Sequence, residues 1–328
     1  MRALFYTNPN EMAYRAAPDP TVTEGELLVQ ITAAGICGSD MHAYHGHDAR
    51  RIPPMVLGHE AAGVVLSGAQ AGQQVALNPL ITCGDCFYCK LGRSNLCANR
   101  TMLGMSRQGA MAEQVTIPAA FAMPTVPHMN PVHASLMEPT ACAWHAIDLV
   151  ERVVFHPLKE SKVLVIGAGA IGMLTALLVH HRGCRDIHLS DTNPLRRSSA
   201  EHMNIAHVHD ARKMAVSAEY DIVFDAVGST ITRKVAVDAV RTGGVIMHIG
   251  LQNAGGDFNA RKITLDEIAF LGTYTYTVSD LQNSLHVLSD GSLGDFSWVE
   301  TRPLAEGARA FTDLDGGKTA AAKIVLIP

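Results

Sequence analysis

At 328 residues the chain is long for one compact domain and is expected to form two. Hydrophobic residues make up 48% and charged residues 17%, which supplies a full core and excludes a disordered polyelectrolyte. A net charge of −5 offers no field for nucleic acid or an anionic membrane surface. Neither a signal-peptide h-region nor an apolar run of about 18 residues is visible, so a cytoplasmic protein with reduced thiols and no membrane span is expected.

The first third has short strands, many turn residues and little helical periodicity, as a β-rich domain requires. Two segments there carry metal-ligand chemistry: "GICGSDMH" (35–42) and "GHEAAGVV" (58–65). Cys37 and His59 pair a soft thiolate with an imidazole, a combination suited to zinc. Glu60 either joins them or stands behind them as a carboxylate partner, and Asp40 is placed to steady His59. His42, His45 and His47 form a local tract whose plainer reading is a solvated loop.

Next comes "TCGDCFYCKLGRSNLC" (82–97), in which Cys83, Cys86, Cys89 and Cys97 read C-x2-C-x2-C-x7-C. In a reducing compartment, four thiolates at such spacing point to a closed tetrahedral zinc site, which is structural because no position is left for substrate. A thioredoxin-like redox pair is disfavoured, because its C-x-x-C opens a helix after a strand, whereas the polar residues here suggest a loop. In "LMEPTACAWHA" (136–146), Glu138 offers a third ligand for the Cys37–His59 pair. Three protein ligands and one open position mark a catalytic zinc.

The texture changes at "KVLVIGAGAIGMLTALLVHHRG" (162–183). A β-branched run leads into Gly167-x-Gly169-x-x-Gly172 and then an apolar helical pattern, the strand–turn–helix context a dinucleotide fingerprint needs. The following strand "DIHLSD" ends in Asp191, an acid suited to ribose hydroxyls and hostile to a 2′-phosphate, so NAD is favoured over NADP. Arg196 complicates this, because an arginine also accommodates a 2′-phosphate; its plainer readings are a solvated residue or an adenine partner. The apolar strands "YDIVFDAVG" and "GGVIMHIGL" continue the βα alternation, and 226–228 and 249–251 fall at the carboxyl edge of the sheet. "AAKIVLIP" closes the chain with a strand expected to return to the first domain.

Taken in this order, "GICGSDMH", "GHEAAGVV", the four-cysteine lobe, "MEP…WHA" and "VIGAGAIG…SD" resemble the zinc-dependent medium-chain alcohol dehydrogenases, in the sorbitol (polyol)/L-threonine dehydrogenase branch. The resemblance covers essentially the whole chain. It implies an α/β plus β architecture in which a GroES-like catalytic domain (1–139 and 275–328), bearing the zinc lobe, is split around a Rossmann doubly wound parallel-sheet domain (140–274). It also implies one catalytic zinc, which Cys37, His59 and Glu60 bind or border with Glu138 as an alternating ligand or substrate contact, and one structural zinc at Cys83, Cys86, Cys89 and Cys97. Ile171, Asp191 and Arg196 align with the family's NAD contacts; Ile249, Gly250, Leu251, Thr273 and Tyr274 align with its nicotinamide-side backbone. Ser39 and His42 align with its proton relay.

The implied reaction moves a hydride between a small secondary alcohol, a polyol or sugar-derived alcohol, and NAD to give a ketone. The alternatives are an L-threonine 3-dehydrogenase-like enzyme or an aldonate or sugar-alcohol phosphate dehydrogenase. A zinc-containing redox-sensing regulator is disfavoured. The family's habit of assembly implies a homotetramer or homodimer. Two departures put sorbitol itself in doubt: Thr275 stands where polyol dehydrogenases carry an arginine, and Ala43 where they carry a tyrosine, with Tyr44 adjacent. Arg50 and Arg51 suggest a substrate carboxylate or phosphate, although a solvated turn is the plainer reading.

Overall fold

A computed structural model describes all 328 residues and divides into two compact units: 1–138 with 277–319 and 323–328, and 139–276 with 320–322. The first is β-rich. Its main sheet is organised around β1 (Glu26–Gly35), which pairs antiparallel with β2 (Glu60–Val65), with Gln114–Pro118 and with the C-terminal strand Lys323–Ile327. Register matters here because it brings distant residues level: Gly35 faces Glu60 on one side and Val325 on the other. Alternating burial along β1 puts Leu27, Val29, Ile31 and Ala33 into the core, the period-2 pattern of a strand with one wet face.

Helix α1 (Gly38–Tyr44) leaves the end of β1 and is opened by a capping box. The Cys37 sulfur accepts the N–H of Ser39 at 3.5 Å, and the Asp40 carboxylate accepts the N–H of Cys37 at 3.0 Å. Residues 82–97, expected as a loop, contain a one-turn helix, Phe87–Lys90, and a 3-10 turn, Ser94–Leu96. Both are too short to show as sequence periodicity.

The second unit holds six parallel strands: β3 (Lys162–Ile166), β4 (Asp186–Asp191), β5 (His207–Asp210), β6 (Tyr220–Asp225), β7 (Val240–His248) and β8 (Ala269–Gly272). Their spatial order, β5-β4-β3-β6-β7-β8, reverses direction between β3 and β6, as in a doubly wound dinucleotide fold. Helix α2 (Ala170–His181) follows β3, and α3 (Thr230–Ala239) follows β6. Leu164, Ile166, Val223 and Ile246 from the sheet pack with Ala236 and Val237 of α3, all buried, which explains the nearly continuous apolar runs of these strands. No helix in the structure is long and apolar enough to cross a membrane.

Candidate metal centres and dinucleotide site

In the first unit, one ligand atom each from Cys37, His59 and Glu60 lie within 4.8 Å of one another, His59 and Glu60 buried and Cys37 half-buried. Each arrives by a different local device. Cys37 caps α1. His59 follows Gly58, whose φ of 98° suits glycine and whose absent Cβ would meet the Met111 side chain at 2.7 Å. Glu60 opens β2 opposite Gly35, where a Cβ would stand 2.2 Å from Glu60 Oε2. A side chain at position 35 would therefore occupy the carboxylate's place.

Behind this group lie two buried ion pairs. Lys323 Nζ donates to both Glu60 oxygens, at 2.7 and 2.5 Å, and to the Ile36 carbonyl at 2.9 Å. Burial alone would discharge this lysine, but Glu60, Cys37 and Glu138 outweigh it and raise its pKa. Asp40 is fully buried with one oxygen 3.5 Å from His59 Nδ1 and 3.6 Å from Arg51 Nη2. Burial opposes its ionisation, yet His59, Arg51 and the Cys37 N–H hold its pKa low. His59 is likewise opposed by burial, and Asp40 and Cys37 raise it well above its ordinary value, so metal and proton compete for this ring.

Arg51 corrects the solvated-turn expectation and also removes it as a substrate anchor. Its side chain is fully buried, donating to the Gly104 carbonyl (2.8 Å), the Ser39 carbonyl (3.1 Å), Ser39 Oγ (3.2 Å) and Asp48 (2.7 Å). Arg50 is outside, bonded to the same Asp48 at 2.9 and 3.0 Å. Tyr44 does not serve in place of the missing tyrosine at 43: it is buried against Phe311, ring centroids 5.5 Å apart. Ser39 Oγ also lies 3.5 Å from His59 Nε2. His42, on the next turn of α1, is half-buried; burial, then His47 and His45, lower its pKa and favour the neutral imidazole. Glu138 is buried and near enough to act on Lys323, but it stands outside the three-donor group.

Cys83, Cys86, Cys89 and Cys97 form the second donor group within the same 4.8 Å limit, all as free thiols. Sulfur separations are 3.5 Å for Cys83–Cys97 and 4.0 Å for Cys83–Cys89. The backbone N–H of Cys89 draws Cys86 down to about 7, making it the readiest thiolate, whereas the Asp85 side chain pushes Cys83 up to about 12. Both groups suit zinc. The lobe offers four sulfurs and the other group three mixed donors. Around the latter, Asp40, Glu60 and Glu138 outnumber the fixed cations Lys323 and Arg51, an acidic surplus that favours a dication. A separate cavity of ≈ 580 Å³ in this unit, lined by Phe121, Met123, Met129 and Leu285 among others, includes none of these donors.

In the second unit, Gly167 has φ 98°, and a Cβ on Gly172 would stand 1.7 Å from the Gly167 carbonyl oxygen, so turn and helix meet only because both are glycine. Gly169 caps α2, and Ile171 lies in its first turn. Asp191, at the end of β4, accepts the N–H groups of Ala168 (2.8 Å) and Asn193 (2.7 Å). It thereby ties the glycine turn to the neighbouring strand. Arg196 is half-buried with Nε unpartnered. Its neighbour Arg197, overlooked in the sequence, holds the carbonyls of Asp191 and Thr192, each at 3.0 Å. Ile249, Gly250 and Leu251 follow β7, and Leu251 is exposed. Thr273 and Tyr274 follow β8. The hydroxyls of Thr273 and Thr275 are buried without a partner, and Thr275 has φ 46°, a strained value for a β-branched residue.

Residues 23–128 match the family model for the alcohol dehydrogenase GroES-like domain, and 170–290 that for zinc-binding dehydrogenase. The chain is 30% identical over 275 residues to an L-threonine 3-dehydrogenase of Enterobacter sp. (strain 638), covering 78% of this chain and 79% of that protein. The chain belongs to the zinc-dependent medium-chain dehydrogenases, in the polyol/threonine dehydrogenase branch. It is also 29% identical over 327 residues to the L-galactonate-5-dehydrogenase of Escherichia coli K12, spanning 95% of this chain and 94% of that one. Among solved structures, a zinc-binding dehydrogenase from Sinorhizobium meliloti 1021 bound to NADP superimposes with a TM-score of 0.87 at 27% identity, over 100% of this chain and 99% of that one. The architecture is a GroES-like domain with a Rossmann domain, and the protein is an NAD(P)-dependent oxidoreductase acting on CH–OH donors.

Two measurements test the centre. Cys37→Ser is expected to lower zinc content from two per chain to one and abolish turnover, with the melting temperature nearly unchanged; full activity with one zinc would refute the assignment. Asp48 is held at about 2, chiefly by its hydrogen bond to Arg50, against about 3.9 in an unfolded chain. Its folded pKa is depressed, so the stability it contributes is complete above about pH 4 and disappears as pH falls through about 2. The difference in melting temperature between the wild type and Asp48→Asn should therefore shrink across that window.

Proposed function

We propose that this dehydrogenase interconverts a secondary alcohol of the polyol or sugar-derived class and its ketone, using NAD. The observation that carries the reading is the contrast between the two donor groups: four sulfurs would close a tetrahedral shell in one, whereas the three donors Cys37, His59 and Glu60 would leave a bound zinc one position for substrate. In this reading residues 1–139 and 275–328 are catalytic, 140–274 bind NAD, and Glu138 exchanges with Glu60 as ligand or touches substrate. Bound there, zinc would supply Lewis acidity at the substrate hydroxyl, and NAD would supply the hydride chemistry.

The remaining work belongs to the chain's own side chains. Asp40 orients His59, and Lys323 holds Glu60 in register with Gly35. Arg51 donates to Ser39 Oγ and so fixes that hydroxyl beside His59. Ser39 Oγ accepts the proton released from the alcohol as it gives up its own, which passes to the neutral His42 imidazole. Gly167–Gly172 and the N-terminus of α2 would hold the pyrophosphate, with Ile171 beside it. Asp191 disfavours a 2′-phosphate, and Arg196 flanks the adenosine. Ile249, Gly250, Leu251, Thr273 and Tyr274 face the nicotinamide.

Arg50 and Arg51 are both engaged with Asp48, which favours an uncharged polyol over a phosphate or carboxylate substrate. The second reading, an aldonate or L-threonine dehydrogenase, draws on the names of the relatives. A cytoplasmic homodimer or homotetramer joined through the open edge of β8 completes the proposal. The test is a panel of polyols, aldonates, sugar-alcohol phosphates and L-threonine, each with NAD and NADP. A neutral polyol with NAD should give the highest kcat/KM, and Ser39→Ala should lower its kcat by on the order of 10²-fold. An aldonate or L-threonine as clear winner would establish the second reading, and a preference for NADP would overturn the role given to Asp191.

A further inference from the structure

The loops that follow β6 and β7 are laced together at the carboxyl edge of the parallel sheet. Ile249 and Gly250 donate to the Asp225 carbonyl at 2.9 Å each, Gln252 to Val227 at 3.1 Å and Asn253 to Gly228 at 3.0 Å. A Cβ on Gly228 would lie 1.8 Å from the Gly250 oxygen, so the two backbones touch without side chains between them. The buried Asp225 carboxylate accepts Val227 N–H (3.1 Å), Gly228 N–H (2.8 Å) and the Thr232 hydroxyl (3.0 Å), which fixes the first loop.

Arg233 fixes the second. It projects from the start of α3 and is only 7% exposed. Nη1 donates to the carbonyls of Gly228 (2.9 Å) and Asn253 (3.2 Å), and Nη2 donates to the carbonyl of Gly255. His248 Nε2 lies 3.4 Å from Nη1. No carboxylate pairs with this guanidinium, so its charge is met by carbonyl dipoles and one imidazole. A buried cation with no counter-ion is costly to hold. The helix does not require it, because Ser229 and Thr232 already form a complete capping box. Its donors are spent on the loop after β7 instead, and only a planar fork spans carbonyls from both loops.

We infer that Arg233 is a positioning residue for the nicotinamide end of the dinucleotide, holding 249–255 in the shape that end requires. This rests on the proposed reading of 249–251 as nicotinamide-facing. The adenosine and pyrophosphate sites, on α2 and the β4 end, share none of its hydrogen bonds.

The experiment compares NADH with ADP-ribose, which lacks nicotinamide, binding to zinc-loaded full-length protein. Arg233→Met should weaken NADH about tenfold or more, leave ADP-ribose affinity and zinc content unchanged, and leave KM for the alcohol unchanged at saturating NAD. Arg233→Lys should recover part of the loss. Folded Arg233→Met that binds NADH like the wild type, or that loses ADP-ribose equally, overturns the inference. Should the methionine variant not fold, Arg233→Lys decides: wild-type NADH affinity there overturns it, and a selective loss supports it. Wild-type protein that binds neither ligand would instead refute the cofactor reading itself.

Discussion

Lys323 and Glu60 are both almost fully buried, and their ion pair connects the last strand of the chain to the first residue of β2. Taking both charges out of water is expensive, and replacement by apolar residues would often leave a protein no less stable. The pair is intelligible as a device for placement. With both oxygens held by one ammonium, Glu60 stays beside Cys37 and His59, and the absent side chain at Gly35 provides the room. Arg51 acts similarly on the other side, where it brings together Asp40, Asp48 and Ser39. The metal centre is therefore shaped by a second layer of buried charge rather than by its three donors alone.

The second unit solves a different problem with different means. Here backbone packs directly on backbone, glycine against carbonyl, at Gly167–Gly172 and again at Gly228–Gly250. Side chains then lock what glycine leaves loose: Asp191 ties the turn after β3 to β4, while Asp225 and Arg233 tie the loops after β6 and β7. In both units, buried polar groups hold the strand ends.

Features that depend on local spacing were legible in the sequence. The four cysteines sit within sixteen residues, and the glycine fingerprint lies between a strand and a helix, so each declares its surroundings. The parallel sheet of the second unit follows from βα alternation once the fingerprint is found. What depends on long-range register was not legible. Lys323 lies 263 residues from Glu60 and sits in an apolar strand where a lysine suggests an exposed edge. Arg51 reads as a turn residue until its guanidinium is seen to spend four hydrogen bonds indoors. Arg233 gave no signal, because carbonyl acceptors leave no mark in the sequence. Gly35 and Lys323 flanking Glu60 would have been found only by aligning the three strands first.

The central claim is that one zinc sits among four sulfurs and a second among one sulfur and harder donors. X-ray absorption at the zinc edge measures this directly, because Zn–S and Zn–N/O shells separate at about 2.3 and 2.0 Å. Four lobe cysteines and Cys37 shared over two ions give an expected average of about 2.5 sulfur neighbours per zinc. A protein that saturates at one zinc with four sulfurs, and shows no mixed shell, would contradict it.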